Sequence, residues 1–335
     1  VNCHTGNRGS ADEYSLHIRG NHGATLLKTR ASRNAGDTAL TGFEACDAAT
    51  LEAYDTKTDS TLGLCVYPYW HPSGSYIAYS TNQTRQLFHL QPDKLIEVFD
   101  QASDIQVYDI AGNTLVSPPQ LKTDEFWDTF PVFSADGSEV YFCRAVARET
   151  PDSLSEVRYN LCKIAFDAAT GQFGDEITTV IDAESARKSI AFPRPSYDGR
   201  YIMYTCADYG QFPIWHHEAD LWLYDIASGE TKAVDNANSA DTESFHNWSL
   251  NSRWFVFSSR RDDGLFTRLY IAHIDGNGQV DKPFMLPQRN PSRYYGSLFM
   301  SYNVPEFATA PVEMDKRATR RLINSDKRVK MGFSR

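Results

Sequence analysis

Four stretches of the chain carry one pattern of apolar and polar positions. They read WHPSGSYIAYS (70–80), FSADGSEVYF (133–142), PSYDGRYIMYT (195–205) and, more loosely, WSLNSRWFVFSS (248–259). In each, a polar turn with Gly or Ser at its corner is followed by alternating aromatic and aliphatic residues. That period of two is what a half-buried strand requires. Glycine in the turn permits positive φ, and Asp or Ser can bond back to its own backbone, so each stretch predicts a β-hairpin. Aligned on Gly74, Gly137, Gly199 and Ser252, the copies stand 63, 62 and 53 residues apart. A third alternating run follows each hairpin: DIQVYDI, YNLCKIAF, DLWLYDI and TRLYIAHI. A polar, Gly-containing turn and a weaker fourth strand come next, as in TLVSPP and ITTVID.

Four antiparallel strands per unit, repeated at this period, predict an all-β fold, a β-propeller, rather than a sandwich of unrelated hairpins. Four units cover about 65–290, and EYSLHIRGNHGATLLKT (13–29) and ATLEAYDTKTDST (49–61) supply strands for an N-terminal one. The expected count is five blades, with six the alternative. YYGSLFMSYN (294–303) is expected as a lone strand that completes the N-terminal blade, so that pairing of the N- and C-terminal segments closes the ring and leaves no open edge. The expected domain layout is a lead segment over 1–12, one propeller over 13–308 and a basic extension over 309–335, with a short helix in DKRATRRLI.

The blade motif resembles that of the TolB-like (WD40-like) propeller family, whose blades carry a Pro-x-x-Ser-x-Asp-Gly core. The matching residues are Phe130 through Gly137, Pro193 through Gly199 and, with Ser for Asp, Tyr69 through Gly74; the fourth copy departs at Leu250-Asn251-Ser252. Runs such as YPYWHPSGSYIAYS and FPIWHHEADLWLYDI are similar to those of large secreted or periplasmic propeller proteins of Bacteroidota. The resemblance implies the fold and a periplasmic or outer-membrane-associated setting. It brings no catalytic residue with it.

Composition narrows the function. The 33 basic residues against 43 acidic ones leave a net charge of −10, which disfavours a nucleic-acid partner. No run of 18 apolar residues occurs, so no transmembrane segment is expected. The chain opens on VNCH with no recognisable leader; a true N-terminus upstream of Val1, with a lipid anchor, fits that start. Six cysteines are too few for a disulfide scaffold.

Several clusters invite chemistry. Cys3-His4 is the second half of a Cys-x-x-Cys-His motif, so a cysteine immediately before Val1 would allow haem c to be attached, with His4 on the iron. His17 and Arg19 share a strand face by two-residue periodicity, and the Gly20–Gly23 turn brings His22 near them, as an anion or metal site would need. Trp215, His216 and Glu218 precede a strand, and His216 with Glu218 is a plausible ligand pair, whereas the adjacent His217 would point elsewhere. Arg144 and Arg187 are candidate anion ligands near one end of the channel. His71 is expected to cap its turn, and Arg260, Arg261, Asp262 and Asp263 to form an ion-paired surface loop. Trp127, Phe212, Trp215, Phe245 and Trp248 lie near blade entrances and are available for recognition, if not taken into the core.

No Gly-x-Ser-x-Gly elbow and no phosphate-binding Gly-rich loop is present. The expectation is therefore an extracytoplasmic binding or scaffolding module, without an assigned catalytic residue, that recognises a protein or glycan through its loops. The alternatives are a haem-associated redox protein and a polysaccharide lyase or hydrolase.

Overall fold

The repeated turn builds each blade from its inner hairpin outwards. In the third blade Ser134 Oγ donates to Asp136 Oδ1 at 2.6 Å and Gly137 N donates to Ser134 O at 3.0 Å, with Gly137 at φ 81°. The fourth blade repeats this with Ser196, Asp198 and Gly199. In the divergent copy Ser249 Oγ donates to Asn251 Oδ1 and Ser252 takes the left-handed conformation at φ 56°. Asn and Ser thus reproduce the turn that Asp and Gly make elsewhere.

The computed structural model describes residues 3–18, 24–29, 43–46, 66–91, 94–312, 316–324 and 332–333. Within them lie five antiparallel sheets, the blades of a β-propeller. Blade 1 holds β1 (Cys3–Gly6), β2 (Tyr14–Ile18), β3 (Ala24–Lys28) and β4 (Phe43–Cys46). Blade 2 holds β5 (Val66–Trp70), β6 (Tyr76–Gln91), β7 (Lys94–Asp109) and β8 (Thr114–Val116). Blade 3 comprises β9 (Phe126–Phe133), β10 (Glu139–Val146), β11 (Asn160–Asp167) and β12 (Gln172–Ile181). Blade 4 comprises β13 (Ser189–Pro195), β14 (Tyr201–Ala207), β15 (Asp220–Asp225) and β16 (Thr231–Ala233). Blade 5 is β17 (Glu243–Trp248), β18 (Trp254–Ser259), β19 (Arg268–His273) and β20 (Phe284–Met285). Two helices follow, α1 (Pro291–Gly296) and α2 (Lys316–Ile323), and β21 (Gly332–Phe333) adds to blade 2 in parallel with β8.

Apolar faces of neighbouring blades form the core. Leu27 of blade 1 meets Trp70, Ile77 and Tyr79 of blade 2; Ile105 and Val107 meet Phe133, Val140 and Phe142 of blade 3; Met203, Leu221 and Leu223 of blade 4 meet Trp248, Phe255 and Phe257 of blade 5. Each such side chain, fully buried, contributes about 1.5–3 kcal/mol relative to exposure. The turns add cross-blade bonds. His71 Nε2 donates to Gly137 O at 3.1 Å while its Nδ1 accepts from Ser73 N, and Asp198 N donates to Ser252 Oγ at 3.0 Å.

Two expectations are corrected. Residues 3–6, expected in a lead segment, pair with β2 as the first strand of blade 1. The stretch 294–303 is not a strand; α1 ends within it, and blade 1 draws all four of its strands from the N-terminal part of the chain. Asn290 caps this helix through Arg293 N and Pro291 occupies its first turn, signals that favour helix over strand. The two ends of the chain still meet. Val304 packs into the central core, Glu306 accepts from Gly6 N (3.0 Å) and Asn247 Nδ2 (3.3 Å), and Thr309 N donates to Gly9 O (2.8 Å). An irregular strap over 304–309 therefore joins blade 5 to blade 1. The segment 49–61 lies outside the described residues.

Candidate functional site: a plugged channel under a latched arm

Each inner strand from β5 to β17 loses register at an aromatic residue: Tyr67, Phe130, Phe192 and Phe245 lie in the skipped positions. The first three have φ of 51°, 53° and 55°, and each is followed by proline. Bulges re-aim side chains, and left-handed conformations at bulky residues persist only where packing enforces them. Here the packing is ring on ring. Centroid distances are 4.3 Å for Tyr67–Phe130, 4.8 Å for Phe130–Phe192 and 4.0 Å for Phe192–Phe245, and Phe212 joins from a loop at 5.7 Å. One aromatic from each of blades 2 to 5, and none from blade 1, thus packs at the middle of the ring, where a substrate channel would need polar groups.

Above this plug, on the side of the loops that join second to third strands, β6 and β7 continue past the blade as a long hairpin arm. Its base lies over β9, with Asn82 Nδ2 donating to Thr129 Oγ1 at 3.1 Å and to Asp100. It then passes blade 3 and reaches the 208–219 loop of blade 4. Glu97 on β7 accepts from Tyr209 Oη and lies 3.1 Å, through Oε2, from His216 Nε2. Glu218 Oε1 lies 3.3 Å from the other ring nitrogen. Burial by itself would lower the His216 pKa, but the two carboxylates outweigh it and push it up to about 9. The reciprocal pairing holds Glu218 at about 2 against its own burial. Burial and the bond to Glu97 raise Tyr209, so its phenol stays protonated. His216 is therefore an imidazolium clamped between two carboxylates, suited to holding the arm and unsuited to accepting a proton near neutrality. At the far end of the arm Phe88 is 76% exposed.

The pair His216 and Glu218 proposed from the sequence comes together, with Glu97 and Tyr209 as partners not foreseen. The alternation upstream of DIQVYDI is broken at Leu95-Ile96, Val98-Phe99 and Asp100-Gln101, so only the turn-like Gln91-Pro92-Asp93 signals the arm. The guanidinium carbon of Arg260 lies 3.3 Å from the centroid of the Trp215 ring. His217 points away from His216 and pairs with Asp241 at 3.0 Å. Arg144 grips Asp128 with Nε and Nη2, both at 2.7 Å, and is thereby engaged within its own hairpin. Arg187 sits in a turn at φ 56°. His17 is buried in β2, its Nδ1 3.0 Å from Thr25 Oγ1; Arg19 and His22 lie outside the described residues. Cys3 pairs through its backbone with His17, and His4 faces the side on which Glu306 lies. Trp127, Phe245 and Trp248 are core residues, and Arg260, expected on a surface loop, is buried. Cys143, Cys162 and Cys206 are buried free thiols. No group of three or more His, Cys, Asp and Glu side chains is arranged to hold a metal ion among the described residues.

No family model matches the chain, and no curated protein matches it. Among solved structures it is similar to a protein described as TolB from Agrobacterium tumefaciens, at 16% identity over 85% of this chain and 79% of that one, with a TM-score of 0.49. TolB from Acinetobacter baumannii is similar at 14% identity over 83% and 55%, TM-score 0.45. An oligogalacturonate lyase in complex with manganese is similar at 11% identity over 86% and 65%, TM-score 0.49. The fold itself rests on the five sheets described above.

Proposed function

We propose that this chain is an extracytoplasmic binding or scaffolding module that meets a protein or glycan partner through the loop face of its propeller. The arm carries this reading. It is a hairpin anchored at its base by Asn82 and Asp100 and nearer its tip by Glu97, and it leaves Phe88 exposed. An exposed aromatic on a preorganised support suits recognition, because ordering the contact costs little on binding. The filled channel and the clamped His216 favour this reading over a polysaccharide lyase or hydrolase. The test is capture from an envelope extract, and binding to a glycan array, by the full chain and by Phe88→Ser. A specific partner retained by the first and lost by the second supports the proposal; identical profiles count against it.

Cys3 and His4 support a second reading. His4 opens onto a groove of about 310 Å³ walled by Tyr14, Leu16, Phe307 and Val312, apolar surroundings of the kind a haem edge packs against. In a full-length protein with cysteine immediately before Val1, Cys3 would hold haem c and His4 its iron only if β1 rearranged, because adjacent strand residues project to opposite faces and His4, not Cys3, lines the groove. An absorption spectrum after expression in a host competent in cytochrome maturation decides it: a Soret band with stoichiometric iron supports the reading, and its absence removes it.

A further inference from the structure

Apolar clusters of the core join blade 1 to 2, 2 to 3, 3 to 4 and 4 to 5; among the described residues none joins blade 5 to blade 1. The face that blade 1 turns to this seam follows from the register of its inner strands. His4 lies opposite Leu16 and Gly6 opposite Tyr14, so by the period of two these four share one face, while Thr5, opposite Ser15, takes the other. Ser15 Oγ lies 3.0 Å from Tyr79 Oη of blade 2, so the face of His4 and Leu16 is the one turned away from blade 2. The strap lies against it in place of a sheet. Between them runs the groove of about 310 Å³, with Phe307, Ala308 and Val312 across from Leu16.

A largely apolar cavity of this size with a few polar groups is what a small ligand needs. The polar groups here are chiefly His4 and Glu306. The His4 imidazole makes no hydrogen bond among the described residues. Glu306 accepts from Gly6 N, Asn247 Nδ2 and the Thr5 hydroxyl, and a carboxylate accepts at roughly four sites, so it can take one donor more. The chemistry of the ligand's head follows. A second carboxylate would be repelled by Glu306, and an ammonium would meet the charges of His4 and Arg194, which Glu306 already feels. A neutral hydroxyl donates to the carboxylate and bonds the imidazole with the same oxygen.

We infer that the seam between blades 5 and 1 binds a small neutral ligand, an apolar ring body carrying a hydroxyl that meets His4 and Glu306. The site needs neither a partner on the arm nor a cysteine before Val1, so its failure leaves both earlier readings as they stand.

The experiment uses the full chain and 2-naphthol as the probe, followed by the naphthol's own fluorescence. Naphthalene and 2-naphthoate present the same body without the hydroxyl. The naphthol is expected to bind saturably and about tenfold more tightly than either. Ala308→Trp fills the groove from the strap and is expected to abolish binding of all three. His4→Phe is expected to leave naphthalene binding in place and to remove the preference for the hydroxyl. A wild-type chain that binds the naphthol without saturation, or no more tightly than naphthalene or the naphthoate, overturns the inference. So does naphthol binding unchanged in Ala308→Trp, or a preference retained in His4→Phe. The comparison of heads needs only the wild-type chain, so it decides even where a variant does not fold.

Discussion

Nε2 of His216, on a loop of the fourth blade, lies 3.1 Å from Oε2 of Glu97, which stands 119 positions earlier on the arm of the second blade. Blades 2 and 4 are not neighbours in the ring, so this ion pair ties the arm across the blade between them. Because it is buried, it is little screened by salt, and breaking it leaves a charge without its partner.

The pairing makes stability depend on pH on the alkaline side. The His216 pKa is raised in the fold to about 9 from an ordinary 6.5, so its contribution is complete below pH 6.5 and is lost as pH rises towards 9. With Glu218 partly exposed, the loss is on the order of 2 kcal/mol. Urea unfolding at pH 6, 7.5 and 9 should show it, and His216→Gln should be less stable at pH 6 and flat across the same range. A wild-type protein as stable at pH 9 as at pH 6 would contradict the clamp.

His246 behaves in the opposite sense. It is fully buried, donates from Nε2 to Met203 O at 2.9 Å, and burial lowers its pKa to about 3. The fold holds it neutral, so stability is present above pH 6.5 and falls as pH drops below it, by at most about 1.4 kcal/mol per pH unit. His71, its pKa also lowered by burial, adds to the same window. Unfolding between pH 6.5 and 4 should be shallower in His246→Gln than in wild type, and equal slopes would rule the assignment out.

Gly137 tests the join between turns. A Cβ there would lie 2.1 Å from His71 Nε2, at a φ of 81°. Gly229, at φ 75°, has nothing within 4 Å of its Cβ position. Gly229→Ala should cost about 1 kcal/mol from conformation alone, and Gly137→Ala clearly more, about 2–3 kcal/mol, as His71 is displaced and a buried hydrogen bond is lost. Equal losses in chemical denaturation would mean that the cross-blade contact contributes nothing.

The channel plug predicts a graded series. Phe192 touches Phe130, Phe212 and Phe245, so Phe192→Ala should cost about 3–5 kcal/mol and Phe192→Leu distinctly less. Denaturation midpoints at unchanged m-value are the measurement. A near-neutral Phe192→Ala would mean that the ring packs loosely.

The blades were legible because their signals are local: a turn residue that needs positive φ and an alternation of period two can be read within a dozen positions, as at Ser134–Gly137. Even the degenerate turn at Asn251-Ser252 could be aligned by its flanking aromatics. The plug was not legible, because the repeated aromatic-proline pairs Tyr67-Pro68, Phe130-Pro131 and Phe192-Pro193 look like ordinary inward strand residues until register slips reveal the bulge. The strap was missed for a similar reason. Glu306 owes its role to Gly6 and Asn247, which lie 300 and 59 positions away, and YYGSLFMSYN has strand-like composition although its capped first turn favours helix. Of the candidate site, His216 and Glu218 could be paired from their spacing, while Glu97 and Tyr209 came only with the fold of the arm.

Hydrogen exchange along the arm tests most directly whether it is a fixed support and not a loose excursion. The expected result is protection of the amides from Glu97 to Asp104 comparable to that of β10 in the wild-type protein, lost on the arm and retained in the blades of Glu97→Ala. Fast exchange throughout that stretch in the wild type, with the blades protected, would contradict the latch.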